Sequence, residues 1–252
     1  MAVTERDEDR IEYAFIMAFS PELPENDETA DKALKAWNLL WELMERENIF
    51  SNQLGSSVLD WQIGNWANDI TVLLHNAKRY KDVIAVNEQI LKIQWSEYGD
   101  TDLFHENAKR EITDTYAYMG DTEKAFQLYE EYLESDPLWG WGWIGYYRLI
   151  KYQNNPRYID VMKKICTDMK VGKKYRDIKD LYQELSEEFE ELGEYEISRS
   201  LKEEYEQEKE RERKADRERL LKSIEQFERL EKQRQINFVL NDPPKMVHRS
   251  TN

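Results

Sequence analysis

The sequence predicts an all-α protein in which helical hairpins stack into a solenoid, followed by one long charged helix. Apolar residues recur at steps of three and four along most of the chain, while no long stretch alternates apolar with polar. Turn signals recur at a nearly constant interval. With only nine Gly and six Pro, the chain lacks the punctuation of a many-turned β fold. Eight Trp, fifteen Tyr and eight Phe supply an aromatic core.

Thr4 is placed to cap a first helix whose stripe is Ile11, Ala14, Phe15 and Ala18, and Ser20 to Pro24 end it. A second helix is expected from Thr29, with Ala30, Ala33, Trp37, Leu40, Trp41 and Met44 on one face, stopping near Asn48. After Gly55, Leu59, Ile63, Trp66, Ile70 and Leu73 step along a third helix. A polar break from Asn76 to Arg79 leads to Val83, Asn87, Ile90 and Leu91, which completes a hairpin. A second hairpin runs from Leu103 to Ser135, turning at Gly120 and Asp121. A third starts at Pro137, turns at Asn154 to Pro156 and continues to about Met169, and a fourth turns at Gly193. The turns at Arg79, Gly120, Asn155 and Gly193 lie 41, 35 and 38 residues apart, the period of stacked helix pairs. A single pair cannot bury its own apolar face, so the pairs must stack, and the inner helices then line a groove.

From Tyr195 onward no turn signal appears until near Ile236, and Pro243 and Pro244 forbid continuation. One helix of roughly 60 Å is expected there, at 1.5 Å per residue. Between Glu203 and Arg219, fourteen of seventeen residues are charged, which leaves no core face. A second apolar stripe follows at Leu220, Leu221, Ile224, Phe227 and Leu230, open either to fold-back or to a partner or homodimer contact. The expected organisation is an N-terminal helix over 1–24, a repeat domain over 25–202, a charged helix over 203–236 and a flexible tail over 237–252.

Tyr116, Gly120, Asp121, Ala125, Tyr129 and Pro137, in YAYMGDTEKAFQLYEEYLESDP, stand at the spacings of a tetratricopeptide repeat, and this segment resembles one. The resemblance implies an aromatic residue of the first helix packed on the small residue of the second, a Gly-Asp turn between them, and a Pro that opens the next repeat. The turn at Gly193 is similar, with Ser198 in the small position. The turn at Arg79 departs further, lacking Gly and carrying Val83. A longer stretch from about Ala30 to Tyr147, ending in ESDPLWGWGWIGYY, is similar to tetratricopeptide-like bacterial proteins that often carry a C-terminal SEC-C zinc motif. The cysteines of that motif are missing, so the likeness implies the helical scaffold without the zinc module.

The formal charge of −16 is concentrated in Met1 to Ala30, Asp121 to Asp136 and Glu184 to Glu196. Such a field opposes nucleic acid and anionic membranes, and favours a protein or peptide partner with a basic surface. Lys163, Lys164, Lys170, Lys173, Lys174 and Arg176 form a local basic cluster beside the last acidic run, which would repel a phosphate backbone. The single Cys166 excludes an intramolecular disulfide and suits a reducing compartment. The apolar run from Ala14 to Phe19 is too short to cross a bilayer and its flanks are unlike a secretion signal, so a cytoplasmic location is expected.

Enzymatic and cofactor-binding fingerprints are missing: there is no nucleophile elbow, phosphate loop or metal-binding histidine pair. Asp100, Asp102, His105 and Glu106 lack the spacing of a calcium loop and read as helix-capping groups. The sequence therefore points to an interaction scaffold, or alternatively to an acidic inhibitor that competes with nucleic acid for a basic enzyme. Trp139 and Trp143 fall on a packing face of a helix that starts at Pro137, whereas Trp141 points elsewhere and is the first ligand-contact candidate. Asn65, Arg110, Thr113, Arg148 and Lys151 join it by position on the presumed inner helices, and Ile224 and Phe227 on the last.

Overall fold

A computed structural model describes residues 3–19, 26–54, 57–95 and 103–241, without the side chains of 57–61 and 233–241. The break at Ser20 to Pro24, Gly55, the side chain of Leu59, Asp100, Asp102, and the prolines and tail beyond 241 lie outside the described residues. Ten helices are present among the described residues. They are α1 (Glu5–Ala18), α2 (Asp27–Glu47), α3 (Ser57–Asn76), α4 (Tyr80–Ile90), α5 (Leu103–Tyr118), α6 (Thr122–Ser135), α7 (Gly140–Tyr152), α8 (Arg157–Lys170), α9 (Ile178–Glu191) and α10 (Tyr195–Asn241). This is an all-α helical-hairpin fold that ends in a long helix.

The chain divides into two compact units, residues 1–178 and 179–252. In the first, each helix packs on the next in sequence, while α1 also meets α3 and α5 also meets α7. That pattern is a stack of hairpins, with α3, α5 and α7 as first helices and α4, α6 and α8 as second. The expected N-terminal helix is part of this stack: α1 lies on α2, and Phe15 stacks on Trp66 at 4.0 Å between ring centroids. The division falls earlier than the start of the charged stretch. The last hairpin, α9 with the first turns of α10, belongs to the second unit, tied internally by ion pairs of Lys202 with Glu190 and of Lys179 with Glu212.

The hairpin turns share one backbone device. Lys78, Gly120, Asn154 and Gly193 all adopt the left-handed conformation. At Lys78 its N–H donates to His75 O (2.9 Å) while the Arg79 N–H donates to Leu74 O (2.8 Å). The same pair of bonds recurs from Gly120 and Asp121, from Asn154 and Asn155, and from Gly193 and Glu194. This is a Schellman termination, which satisfies carbonyls that a helix end would otherwise leave open. Asp121 then caps α6 by accepting from Lys124 N–H (3.2 Å), and Thr4 and Asp7 form a reciprocal capping box on α1.

Two helix starts differ from expectation. Asn26, three residues before Thr29, caps α2 by accepting from Thr29 N–H at 3.0 Å. α7 begins at Gly140 with Trp139 as its N-cap residue rather than at Pro137, because Asp136 to Leu138 form a turn closed by Trp139 N–H to Asp136 O (3.3 Å). Asn87, read as part of an apolar stripe, is indeed buried. Its amide donates to Val83 O (2.9 Å), so the polar group is satisfied within α4.

Arg176, in the loop after α8, holds three parts of the first unit together. Its Nε donates to Glu106 Oε1 of α5 (2.7 Å) and its guanidinium grips Asp136 at the end of α6. Among the described residues no helix is long and apolar enough to cross a membrane.

The left-handed turns are testable. A side-chain-bearing residue in that conformation costs about 1 kcal/mol. Lys78→Gly should therefore raise Tm by roughly 2–4 °C for a chain of this size. At Gly120 an added Cβ meets nothing within 4 Å, so Gly120→Ala isolates the backbone cost and should lower Tm by a similar amount. Thermal unfolding followed by circular dichroism reads both; two unmoved midpoints would deny these turns a part in stability.

Candidate functional site

The facing sides of α5 and α7 enclose a groove of about 600 Å³. From α5 it takes Arg110, Glu111, Asp114, Ala117 and Tyr118, and from α7 Trp141, Ile144, Gly145, Arg148, Leu149 and Tyr152. Each set repeats at three or four residues, so a single face of each helix lines it. A smaller hollow of about 180 Å³ between α3 and α5 shares Arg110 and Glu111 with it.

The floor depends on a close approach. Tyr129 of α6 is fully buried, and its hydroxyl donates to Asp114 Oδ1 at 2.6 Å. Gly145 lies directly over that hydroxyl, where any Cβ would overlap the Tyr129 ring. Gly142 likewise lies on the indole of Trp139. Gly145 thus lets α7 settle onto the buried Tyr129 ring, while Gly142 leaves room for the Trp139 indole at the start of its own helix.

The walls are aromatic. Trp141 is half-buried, with the Arg110 guanidinium 4.8 Å from its ring centroid. Tyr118 and Tyr152 stand 63% and 76% exposed. Tyr118 also meets the edge of His75 at 4.8 Å and stacks on Tyr80 at 6.3 Å, which closes that end with a ring cluster. Two carboxylates lie one helical turn apart along α5. Burial pushes both Glu111 and Asp114 above the usual carboxylate range. For Glu111 the Arg110 charge offsets only part of this, and for Asp114 the Tyr129 bond and the charges of Arg110 and Arg148 do the same.

Of the residues singled out by sequence, Arg110, Trp141 and Arg148 come together here. Thr113 does not reach the groove. It is wholly buried and its hydroxyl donates to Lys109 O (2.8 Å), so it is a packing residue, because the inward face of α5 turns away from the open face. Lys151 is half-buried on α7 but lies off the lining set, and Asn65 is exposed on α3, where Asn68 and Val72 line the smaller hollow instead. Ile224 and Phe227 are exposed on α10 in the second unit. Glu111, Asp114, Tyr118 and Tyr152 were not singled out by sequence, although Asp114 and Tyr118 stand one and two turns from Arg110, Tyr152 three turns from Trp141, and Glu111 directly follows Arg110.

Trp139 and Trp143 are buried packing residues as expected, and Trp143 Nε1 donates to Pro137 O at 3.1 Å. A larger hollow of about 770 Å³ lies among α6, α7 and α8, where Tyr146 donates to Glu130 (2.9 Å) and Lys164 lies 4.7 Å from the Trp143 ring centroid, much as Arg110 lies over Trp141 in the groove. Two further members of the basic cluster are engaged in ion pairs. Lys173 pairs with Asp168 at 3.3 Å and Arg176 with Glu106 and Asp136. His105 contacts Ile93 O (2.9 Å), so it and Glu106 serve structural contacts. Cys166 is buried and its thiol is pushed up to about 11 by desolvation, which keeps it from acting as a nucleophile near neutral pH.

No protein-family model matches the chain, and no curated protein matches it.

Two outcomes follow from the floor. Gly145→Ala should cost about 2–3 kcal/mol, as expected when a well-packed buried ring must shift, and urea denaturation would read the loss. Asp114 has a raised folded pKa, so proton binding favours the folded state; that contribution is present below its unfolded pKa and is lost as pH rises through the folded value. Asp114→Asn keeps an acceptor for Tyr129 but removes the buried charge. The variant should equal or exceed the native protein in stability at pH 7 and lose that advantage towards pH 4. A variant markedly weaker at pH 7 would contradict the burial cost.

Proposed function

We propose that the protein is a non-enzymatic interaction scaffold whose hairpin stack is of tetratricopeptide type and holds an extended segment of a protein partner in the α5–α7 groove. The observation that carries this reading is the open groove itself, walled by Trp141, Tyr118 and Tyr152 on a rigid pair of helices. Exposed or half-exposed aromatics around an unfilled concave surface are the usual energetic anchors of a protein contact. The repeat assignment is supported by fully buried Ala125 and Tyr129 at the small and aromatic positions, by Gly120 in the left-handed turn and by Asp121 as the cap. The similarity to SEC-C-containing proteins adds a scaffold and no further role. A cytoplasmic setting accords with the buried, unpaired Cys166.

The exposed stripe at Leu220, Leu221, Ile224, Phe227 and Leu230 offers a separate contact, for a partner or for a second copy of the chain. Affinity capture from the native cell would separate the two surfaces, using full-length native protein, a Trp141→Ala/Tyr118→Ala variant and an Ile224→Asp/Phe227→Asp variant. The groove variant should lose the partner, since truncating a central aromatic typically costs about 2 kcal/mol or roughly thirtyfold in affinity. The stripe variant should keep it. A partner retained by the groove variant would exclude the groove as its site. Retention of a nucleic-acid enzyme that is released only by high salt would instead favour the acidic-inhibitor reading.

A further inference from the structure

We propose that a second copy of the chain covers the exposed stripe of α10, the two helices pairing antiparallel over residues 213–231. Self-pairing of this kind rests on the reading of the stripe as a contact surface, names its occupant, and is independent of the groove.

Within the second unit this face has no hairpin neighbour. Lys179, in the first turn of α9, pairs with Glu212 of α10, so α9 ends beside that residue. α10 continues unbroken to Asn241, and Leu220, Leu221, Ile224 and Phe227 stand between 47% and 63% exposed. Leu220, Ile224 and Phe227 follow one another by four and three residues. The same steps run back to Arg217 and Arg213 and on to Glu231. A row with this spacing is the seam of a two-helix coiled coil, narrower than the stripe of a helix laid on a globular core. It has charged ends and an apolar middle, over about 27 Å of helix.

Charge along the seam decides which occupant fits and in which direction. Arg213, Lys214 and Arg217 precede the apolar middle, and Glu228 and Glu231 follow it. A parallel copy in register sets Arg213, Arg217 and Glu231 each against its own counterpart, which is repulsive at every one. A copy reversed about Lys222 sets Leu220 against Ile224 and Arg213 against Glu231, each contact made twice by the two-fold symmetry. Arg217 then lies over Phe227, and on one flank Lys214 faces Glu228 while Leu221 meets its counterpart. On the other flank Ser223 meets Ser223, and Asp216, paired with Arg219 at 3.6 Å, reaches only the edge of Leu230. Reversal thus turns each like-charge layer into an opposite-charge layer or a cation on a ring, the self-complementarity that an interface between identical chains requires. The cations can turn to these partners at little cost. Arg213 and Lys214 contact Glu210 only at 3.9 and 3.7 Å, and both are exposed.

Sedimentation equilibrium of the full-length protein, from micromolar to sub-millimolar concentration, tests the pairing. The native protein should pass from monomer to dimer. Ile224→Asp/Phe227→Asp should stay monomeric with its circular dichroism unchanged. Arg213→Glu and Glu231→Arg should each weaken dimerisation by about tenfold, since each places like charges together in both symmetry-related layers. The double variant, and an equimolar mixture of the two single variants, should return to near-native association, because both arrangements restore opposite charges to every layer. A native protein that stays monomeric, that dimerises despite the stripe substitution, or that is indifferent to both charge reversals overturns the pairing. So does a double variant or a mixture no better than the single variants. A monomeric native protein whose stripe variant loses a captured protein overturns self-pairing and leaves the stripe as a contact for another chain. The Trp141→Ala/Tyr118→Ala variant reads the groove separately in either case.

Discussion

How closely α7 lies against the α5–α6 hairpin sets the rest of the first unit. Gly145 over Tyr129 fixes that distance, since a Cβ there would overlap the buried ring. The consequence runs in two directions. Downward, Tyr129 is pinned between α7 and Asp114, so three helices share one hydrogen-bonded aromatic. Upward, the open sides of α5 and α7 come near enough to form a continuous surface yet carry no ring large enough to fill it. The groove is therefore a by-product of the close packing beneath it, and its shape is as rigid as that packing.

Rigidity of this kind has an electrostatic cost. A helix that places Tyr129's acceptor one turn from Glu111 puts two carboxylates on a half-desolvated floor, and burial outweighs the nearby arginines at both. The remaining ion pairs of the unit behave differently. Arg176 joins Glu106 and Asp136 from separate helices and meets both carboxylates directly, which locks the loop after α8 against α5 and α6. Arg176 is thus paired directly with two carboxylates, whereas Glu111 has no hydrogen bond or ion pair among the described residues.

Much of the architecture was legible because the turns announce themselves. Gly120 and Gly193 occupy left-handed positions that favour glycine, and Asn154 is the next-best residue for the same conformation. Lys78 is not, and there the turn was visible only as a polar break in an apolar period. Helix starts were harder. Asn26 and Thr29 are both good caps, and choosing between them depends on which one precedes the first intrahelical bond, a matter of geometry rather than of residue type. Pro137 suits a first helical turn equally well, yet the chain uses it in a turn before Trp139. The site was half legible for a related reason. Periodicity finds the residues that share a face, as for Arg110 and Trp141, but not which face is covered: Thr113 is buried although it is polar, and Glu111 is an acid set into a groove wall.

The long helix obeys a different rule from the stack. α10 runs for 47 residues with almost no stripe of its own over its charged stretch, so neither a core nor an apolar partner can account for its helicity there. What remains are pairs along its surface, such as Arg211 with Glu208 at 2.7 Å and Lys214 with Glu210 at 3.7 Å, each worth only a few tenths of a kcal/mol in water. Many weak pairs over good helix formers suffice for a rod, but they cannot hide Leu220, Ile224 and Phe227, which stay exposed where the charge run ends. The helix thus carries an apolar surface that local interactions leave uncovered, just as α5 carries carboxylates whose burial the nearby arginines offset only in part. Both are places where burial and local pairing pull apart: burial of charge in the groove, exposure of apolar surface on the helix.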